Sequence, residues 1–465
     1  MTHKLLILIV LNIIFNKNIF GQIKKPLPKY QPTKVVSHDL TEPKKDSFPK
    51  HNSTIQPSVA LDFRRPSPKT ELRGVWVSTV QRVDFPSKAT TDPSVLRTEW
   101  LTLLDFYKSL NINAVIVQVR PTGDAIYPSK LVPYSKWLTG KSGKPLTGNF
   151  DLLKFMIETA HNEGMEFHAW VNPYRVLIDG DTTNLDAKHP FRAHRNWLMQ
   201  YGKEYLFNPG IPEVWRHLTD VMEEIVRKYD VDAIHFDDYF YPYRIAGEEL
   251  PDAKTFEKYG KRFKNVGDWR RANTDSLIFN VKQMIKRSKP MVQLGVSPFA
   301  VWRNQSDTKF GDTEGSDTKA GQRCYDDLYS DVVNWMQNGW LDYVAPELYF
   351  HVGFEVVDYE KILNWWQTHS YGTTLYISHA IYKVNRQPKY AAWSDPTEIP
   401  RQLDLARSIP EVKGLVFFSS KWLIQNELGV TDALRDYFFY EPSELPPLSI
   451  LGNRTPFRDD RLDKN

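Results

Sequence analysis

The chain predicts a (β/α)8 barrel, and three observations predict it. Short β-branched apolar runs alternate with longer amphipathic stretches from residue 71 to about residue 440. Eight such runs occur, at 72–77, 114–119, 166–171, 232–236, 292–297, 342–346, 374–378 and 414–418. Several run into polar or charged residues, as buried parallel strands do where they open onto a functional face. The clearest is VDAIHFDDYFYPY at 231–243, an apolar run that enters Asp237 and Asp238 and leaves through aromatics. A doubly wound open sheet is the alternative, but no glycine-rich phosphate turn follows the first strand.

Taken in order, residues 1–22 read as a secretory signal. Lys4 gives the charged start, 5–15 is apolar but short for a span, and Gly21 is a small residue before the cleavage point. An uncleaved anchor is the rival reading. After cleavage no stable membrane insertion is expected, and no cysteine follows the apolar run to carry a lipid. Residues 23–70 are rich in Pro, Lys, Ser and Thr without apolar periodicity and read as a disordered linker. The barrel is expected over 71–440, with helices at 95–110, 152–163, 213–229, 274–287, 330–338 and 359–367 between the strands. Two long connections, 172–211 and 239–269, are expected to shape the cleft. The Pro-rich, charged tail at 441–465 reads as a strap or as disordered.

Composition narrows the function. A hydrophobic content of 41% supports a sizeable core. A formal net charge of +4 is too small for a binder driven by phosphate neutralisation, so no nucleic-acid partner is expected. The single cysteine, Cys324, excludes an intrachain disulfide and a cysteine-cluster metal site. Aromatics make up 13% of the chain, enough to fill a core and also to stack on sugar rings.

Side chains two apart share a strand face. The second strand puts Gln118 and Arg120 in one row, and the third puts His168, Trp170 and Asn172 together. His235 and Asp237 share a row, as do Gln293, Gly295 and Ser297, and Tyr343, Ala345, Glu347 and Tyr349. Each row turns polar near its end. Glycoside hydrolysis needs two carboxyl groups flanking one bond. We pair Glu347, as a general acid in an aromatic setting, with Asp237, expected ionised near Arg120 and His235. Asp238 orients a neighbour, or exchanges roles with Asp237. The candidate substrate contacts are Arg73, Gln118, Arg120, His168, Asn172, His235 and Ser297, with Trp170, Tyr174, Tyr239, Tyr241, Trp302 and Tyr349 as the aromatic ones.

The bland readings are helix caps or loop salt bridges for the acids, and core aromatics for the rings. His168 and His235 read as satisfied core histidines, since no histidine pair has metal-ligand spacing; no metal or cofactor is expected. Arg73 and Arg120 have the reading of ion pairs under the cleft.

The blocks ELRGVWVSTV (71–80), NAVIVQVRPTGDAIYPS (113–129), FHAWVNPYRV (167–176), IHFDDYFYPY (234–243), GVSPFAVWRN (295–304) and VAPELYF (344–350) resemble the glycosyl-hydrolase-like-10 family, in order, over roughly 71–440. The resemblance implies a TIM barrel and an exported bacterial enzyme of the periplasm or cell envelope. It also implies action on peptidoglycan glycan strands, in particular strands stripped of stem peptides. By motif the family's site falls on Arg73, Gln118, Arg120, Asn172, Asp237, Asp238 and Glu347. A non-catalytic glycan-binding barrel and a hydrolase of another polysaccharide are the alternatives.

Overall fold

The computed structural model of the protein describes residues 67–308 and 315–447. The expected signal, most of the expected linker (to residue 66) and residues 448–465 of the expected tail lie outside the described residues.

The strands are β1 (Leu72–Val77), β2 (Ala114–Arg120), β3 (Glu166–Val171), β4 (Arg175–Leu177), β5 (Leu198–Tyr201), β6 (Glu204–Phe207), β7 (Ala233–Phe236), β8 (Gln293–Val296), β9 (Tyr343–Val344), β10 (Thr374–His379) and β11 (Val412–Phe417). Eight of them close a barrel in the order β1-β11-β10-β9-β8-β7-β3-β2. Every barrel pairing is parallel. With helices between successive barrel strands, this is the (β/α)8 fold. Strand β9 is short because Pro346 has no N–H to give the ladder. Glu347, one residue on, resumes contact through bridges to Phe299 and Ser378.

The apolar runs lack a clean alternation because both strand faces are buried. Outward residues such as Val75, Val115, Phe167, Ile234, Leu294 and Leu415 pack against the helices. Inward residues, among them Trp76, Ile116, Trp170, Tyr343, Tyr376 and Val416, fill the barrel. The helices begin where the sequence offers a side-chain acceptor. Asp92, Asp151, Asn265 and Asp358 accept from backbone N–H groups in the first turns of Pro93–Ser109, Leu152–Asn162, Val266–Ser288 and Tyr359–Thr368. Pro212–Lys228 starts instead on a proline, whose missing N–H is no loss there.

The connection at 172–211 is more than a loop. It carries β4, β5 and β6 as an antiparallel sheet in the order β4-β6-β5. Tyr201 pairs with Glu204, leaving Gly202 and Lys203 as a two-residue hairpin turn. Gly202 takes φ +57°, which a side chain would resist. At the opposite end of the barrel, residues assigned above to linker and tail meet. Thr70 bridges Glu444, and the Glu71 N–H donates to the Glu444 carbonyl at 2.9 Å. Among the described residues, no helix is long and apolar enough to cross a membrane.

Candidate active site

The floor of the barrel mouth is a hydrogen-bonded ring layer. The Tyr343 hydroxyl lies 2.8 Å from His168 Nδ1 and 2.7 Å from His235 Nδ1. His168 Nε2 faces Glu166 at 2.9 Å, and His235 Nε2 faces the Ser297 hydroxyl at 3.0 Å. Burial, and then the neighbouring His168, push the proton affinity of His235 well down, so it sits there neutral. Gly295 makes this layer fit, since a Cβ there would fall 2.0 Å from the Tyr343 ring. His168, His235 and Ser297 were expected at the substrate. They lie instead beneath the mouth, where the ring layer saturates their polar atoms, and their work is to support.

Above this layer stand the carboxylates. Asp237 follows β7 on its inward row and is 2% exposed. Its Oδ2 accepts from Trp170 Nε1 at 2.9 Å and from Asn172 Nδ2 at 3.0 Å, and its Oδ1 from the Tyr239 N–H at 3.4 Å. Burial raises its pKa, while the Arg175 guanidinium and these donors pull it back. Asp238, 1% exposed, accepts from the Tyr243 hydroxyl through Oδ2, while its buried Oδ1 has no hydrogen-bond partner among the described residues. Burial lifts Asp238 to about 7; its bond from Tyr243 lowers it, and Asp237 raises it further. Glu347, after β9, is partly open to solvent. Its carboxyl has no hydrogen-bond or ion-pair partner among the described residues. Desolvation, then the charges of Asp238 and Asp237, hold its pKa well above the usual carboxylate range. The fold therefore brings together acids separated by more than a hundred residues, close enough to govern one another's protons.

Tyrosines surround the acids. Tyr239, Tyr243, Tyr349 and Tyr382 each feel the charges of both Glu347 and Asp238. The Tyr349 hydroxyl meets the Ser378 hydroxyl at 3.0 Å, and the Tyr349 carbonyl accepts from Lys383 Nζ. Tyr239 and Tyr349 were expected at the site; Tyr243, Tyr382, Lys383 and Arg175 were not. Tyr243 and Arg175 stood within the quoted blocks IHFDDYFYPY and FHAWVNPYRV, and so were more accessible to sequence reasoning than Tyr382 and Lys383.

Other expected substrate contacts lie elsewhere. Arg73 is on the outward row near the start of β1, at the far end of the barrel. It pairs with Glu71 at 2.9 Å, donates to the Glu441 carbonyl at 2.6 Å and stacks on Phe439. Gln118 faces inward, but its Oε1 is taken by the Val80 and Thr79 N–H groups at 2.9 and 3.1 Å. It shapes the loop after β1. Arg120 leaves the inward row because the pairing slips between Gln118 and Arg120, which aligns Arg120 with outward Val171. It is buried near the Phe207 ring and donates to the Asn172 and Pro173 carbonyls at 2.5 and 3.2 Å. Tyr174 and Trp302 are buried in the layer between barrel and helices, Trp302 donating to Asp331 at 3.2 Å. Tyr241 packs with Met199, Tyr201 and Leu206 and accepts from Asn273 at 3.2 Å. Trp170 and Asn172 do reach the mouth, where both hold Asp237. No cluster of three metal-ligating side chains is found among the described residues.

Carboxylic acids gathered under an aromatic rim at the C-terminal mouth of a barrel are an arrangement that glycosidic-bond hydrolysis can use. Comparison with known proteins agrees: the protein is a glycoside hydrolase. It belongs to the family described as glycosyl hydrolase-like 10, whose profile matches residues 71–395. It is 44% identical over 390 residues to glycosyl hydrolase YngK of Bacillus subtilis, covering 83% of this chain and 75% of that one. It is 38% identical over 374 residues to glycosyl hydrolase DigH of Escherichia coli, covering 76% of this chain and 83% of that one. Among solved structures, the glycoside hydrolase domain of PgaB (BpsB) from Bordetella bronchiseptica overlaps 79% of this chain and 99% of its own, at 13% identity and a TM-score of 0.46.

Proposed function

We propose that the protein is exported to the periplasm or cell envelope. There it would hydrolyse β-1,4 bonds of peptidoglycan glycan strands, with peptide-free strands as the preferred substrate. The glycan class follows from the family, and the wall substrate rests on the motif resemblance. The observation that carries the chemistry is the contrast between Glu347 and Asp237. Glu347 has no side-chain hydrogen-bond partner among the described residues, and burial and the neighbouring acids favour its protonated form, so it delivers that proton to the leaving glycosidic oxygen. Burial raises the pKa of Asp237, but three kinds of donor and the charge of Arg175 oppose that rise, and the ionised role is assigned to it. As the bond breaks, its carboxylate meets the positive charge at the anomeric carbon, by direct attack or by steadying a ring formed by the substrate's acetamido group. Water then completes the cleavage. Asp238 helps to hold the Glu347 proton and is itself raised by the charge of Asp237. The rim tyrosines supply stacking faces for the sugars.

Glu347→Gln and Asp237→Asn, each incubated with peptide-free glycan strands, test these roles. Each is expected to lower kcat by about 10²–10⁴-fold while leaving the fold intact. Near wild-type release of sugars by both variants would sink the assignment. Cleavage of a different polysaccharide with no turnover of wall strands would keep the acids and replace the substrate.

A further inference from the structure

Arg175 is a cation whose charge acts on both Asp237 and Asp238. It lies within the block FHAWVNPYRV, but neither the site residues implied by the resemblance nor the alternation of strand residues marked it. It lies at the start of β4, in the small sheet beside the barrel rather than in the barrel wall. Three contacts tie it to the site. Its backbone N–H donates to Asn172 Oδ1 at 2.9 Å, which fixes the amide so that Nδ2 points at Asp237. Its guanidinium carbon lies 3.6 Å from the centre of the Tyr239 ring. Its charge acts on Asp237 more strongly than any other charge there. On its far side is Glu204 of β6, whose carboxylate is 3.9 Å away, too long for a hydrogen bond. The buried Nε has no hydrogen-bond partner among the described residues.

Resting on the hydrolytic reading above, we propose that Arg175 is a positioning residue for the reaction. Its planar cation clamps the Tyr239 ring and faces Asp237, so that the small sheet β4-β6-β5 serves to carry a counter-charge to the barrel mouth. The groups facing Asp237 are Arg175, Trp170, Asn172, Tyr239, Asp238 and Glu347. Arg175 is the cation among them. Remove it, and Asp237 must ionise against two neighbouring acids with only neutral donors to help. A lysine would keep the charge but cannot lie flat on the ring or hold the same fork of donors.

The experiment compares pH profiles of kcat and kcat/KM for wild type, Arg175→Met and Arg175→Lys on peptide-free glycan strands, with Asp237→Asn alongside. Arg175→Met is expected to move the acid limb of kcat/KM up by about one pH unit and to lower kcat more than it changes KM. Arg175→Lys is expected to leave that limb near its wild-type position while still losing kcat, which separates charge from stacking. It also provides the reading if the methionine variant fails to fold. Wild-type limbs and wild-type kcat in the arginine variants, with Asp237→Asn inactive, would overturn the role of Arg175 and leave the hydrolytic reading standing. An active Asp237→Asn would remove the reading on which this role rests.

Discussion

Asp238 stores a cost that the active site requires. Its pKa in the unfolded chain is near the ordinary aspartate value of 3.8, and burial raises it to about 7 in the fold. Below pH 4 both states are protonated and the residue costs nothing. Between pH 4 and 7 the unfolded chain ionises while the folded one resists, so stability falls as pH rises through that window. Asp238→Asn removes the ionisation. Thermal melts should show the variant more stable than wild type at pH 8, by several degrees, and the difference should shrink toward pH 4. A gap that stays constant with pH would contradict the raised value. The same variant should lose activity, a trade familiar at catalytic sites. How far residues were legible follows from which faces are buried. Asp237 and Glu347 could be placed at the barrel mouth because an acid ending an apolar strand has few other places to be. Arg73 could not be placed: both faces of LRGVWV are buried, so alternation says which residues share a row but not which row looks inward. Arg120 was misplaced by a register slip that no residue in AVIVQVR announces.

At the scale of elements, strands and most helices were legible to within a few residues because both are specified locally, by β-branched runs and by side-chain caps. The helix expected at 274–287 begins earlier, at Val266, where Asn265 caps it. The connections were not. Tyr174, Tyr241 and Trp302 follow strand ends just as Tyr239 and Tyr349 do, yet they turn into the core. The direction of a loop depends on what it packs against, and spacing in sequence does not record that. The Gly202–Lys203 turn was a readable hairpin signal, and with it the small sheet that carries Arg175. The ring layer gives a prediction at this scale. Gly295→Ala places a methyl group against the Tyr343 ring inside a filled barrel. It should cost about 1–3 kcal/mol in denaturant unfolding and displace the His168–Tyr343–His235 layer. Wild-type stability would mean the barrel interior is looser than drawn.

For the whole molecule, the two ends of the barrel have different tasks. The mouth holds the acids and the tyrosine rim. The opposite end is a closure: Glu71 binds Arg73 and also Arg407, at 2.8 and 2.7 Å, while residues 67–70 and 441–447 pair beneath β1. Arg73→Met leaves Glu71 with half its compensation and should destabilise the fold by about 3–5 kcal/mol. Per folded molecule, its kcat should be unchanged, because no substrate reaches that end. A folded Arg73→Met enzyme with lost turnover would instead restore Arg73 to the site, as the motif resemblance had it.

The central claim is that Glu347 and Asp237 direct water to a glycosidic bond of wall strands. Its most direct test is mass spectrometry of the products formed from peptide-free glycan strands in heavy-oxygen water. The account predicts one heavy oxygen at the new reducing end for each bond cut, and no such product from Glu347→Gln. Products lighter by one water, as an internal anhydro sugar would be, or intact strands after long incubation with the wild-type enzyme, would contradict it.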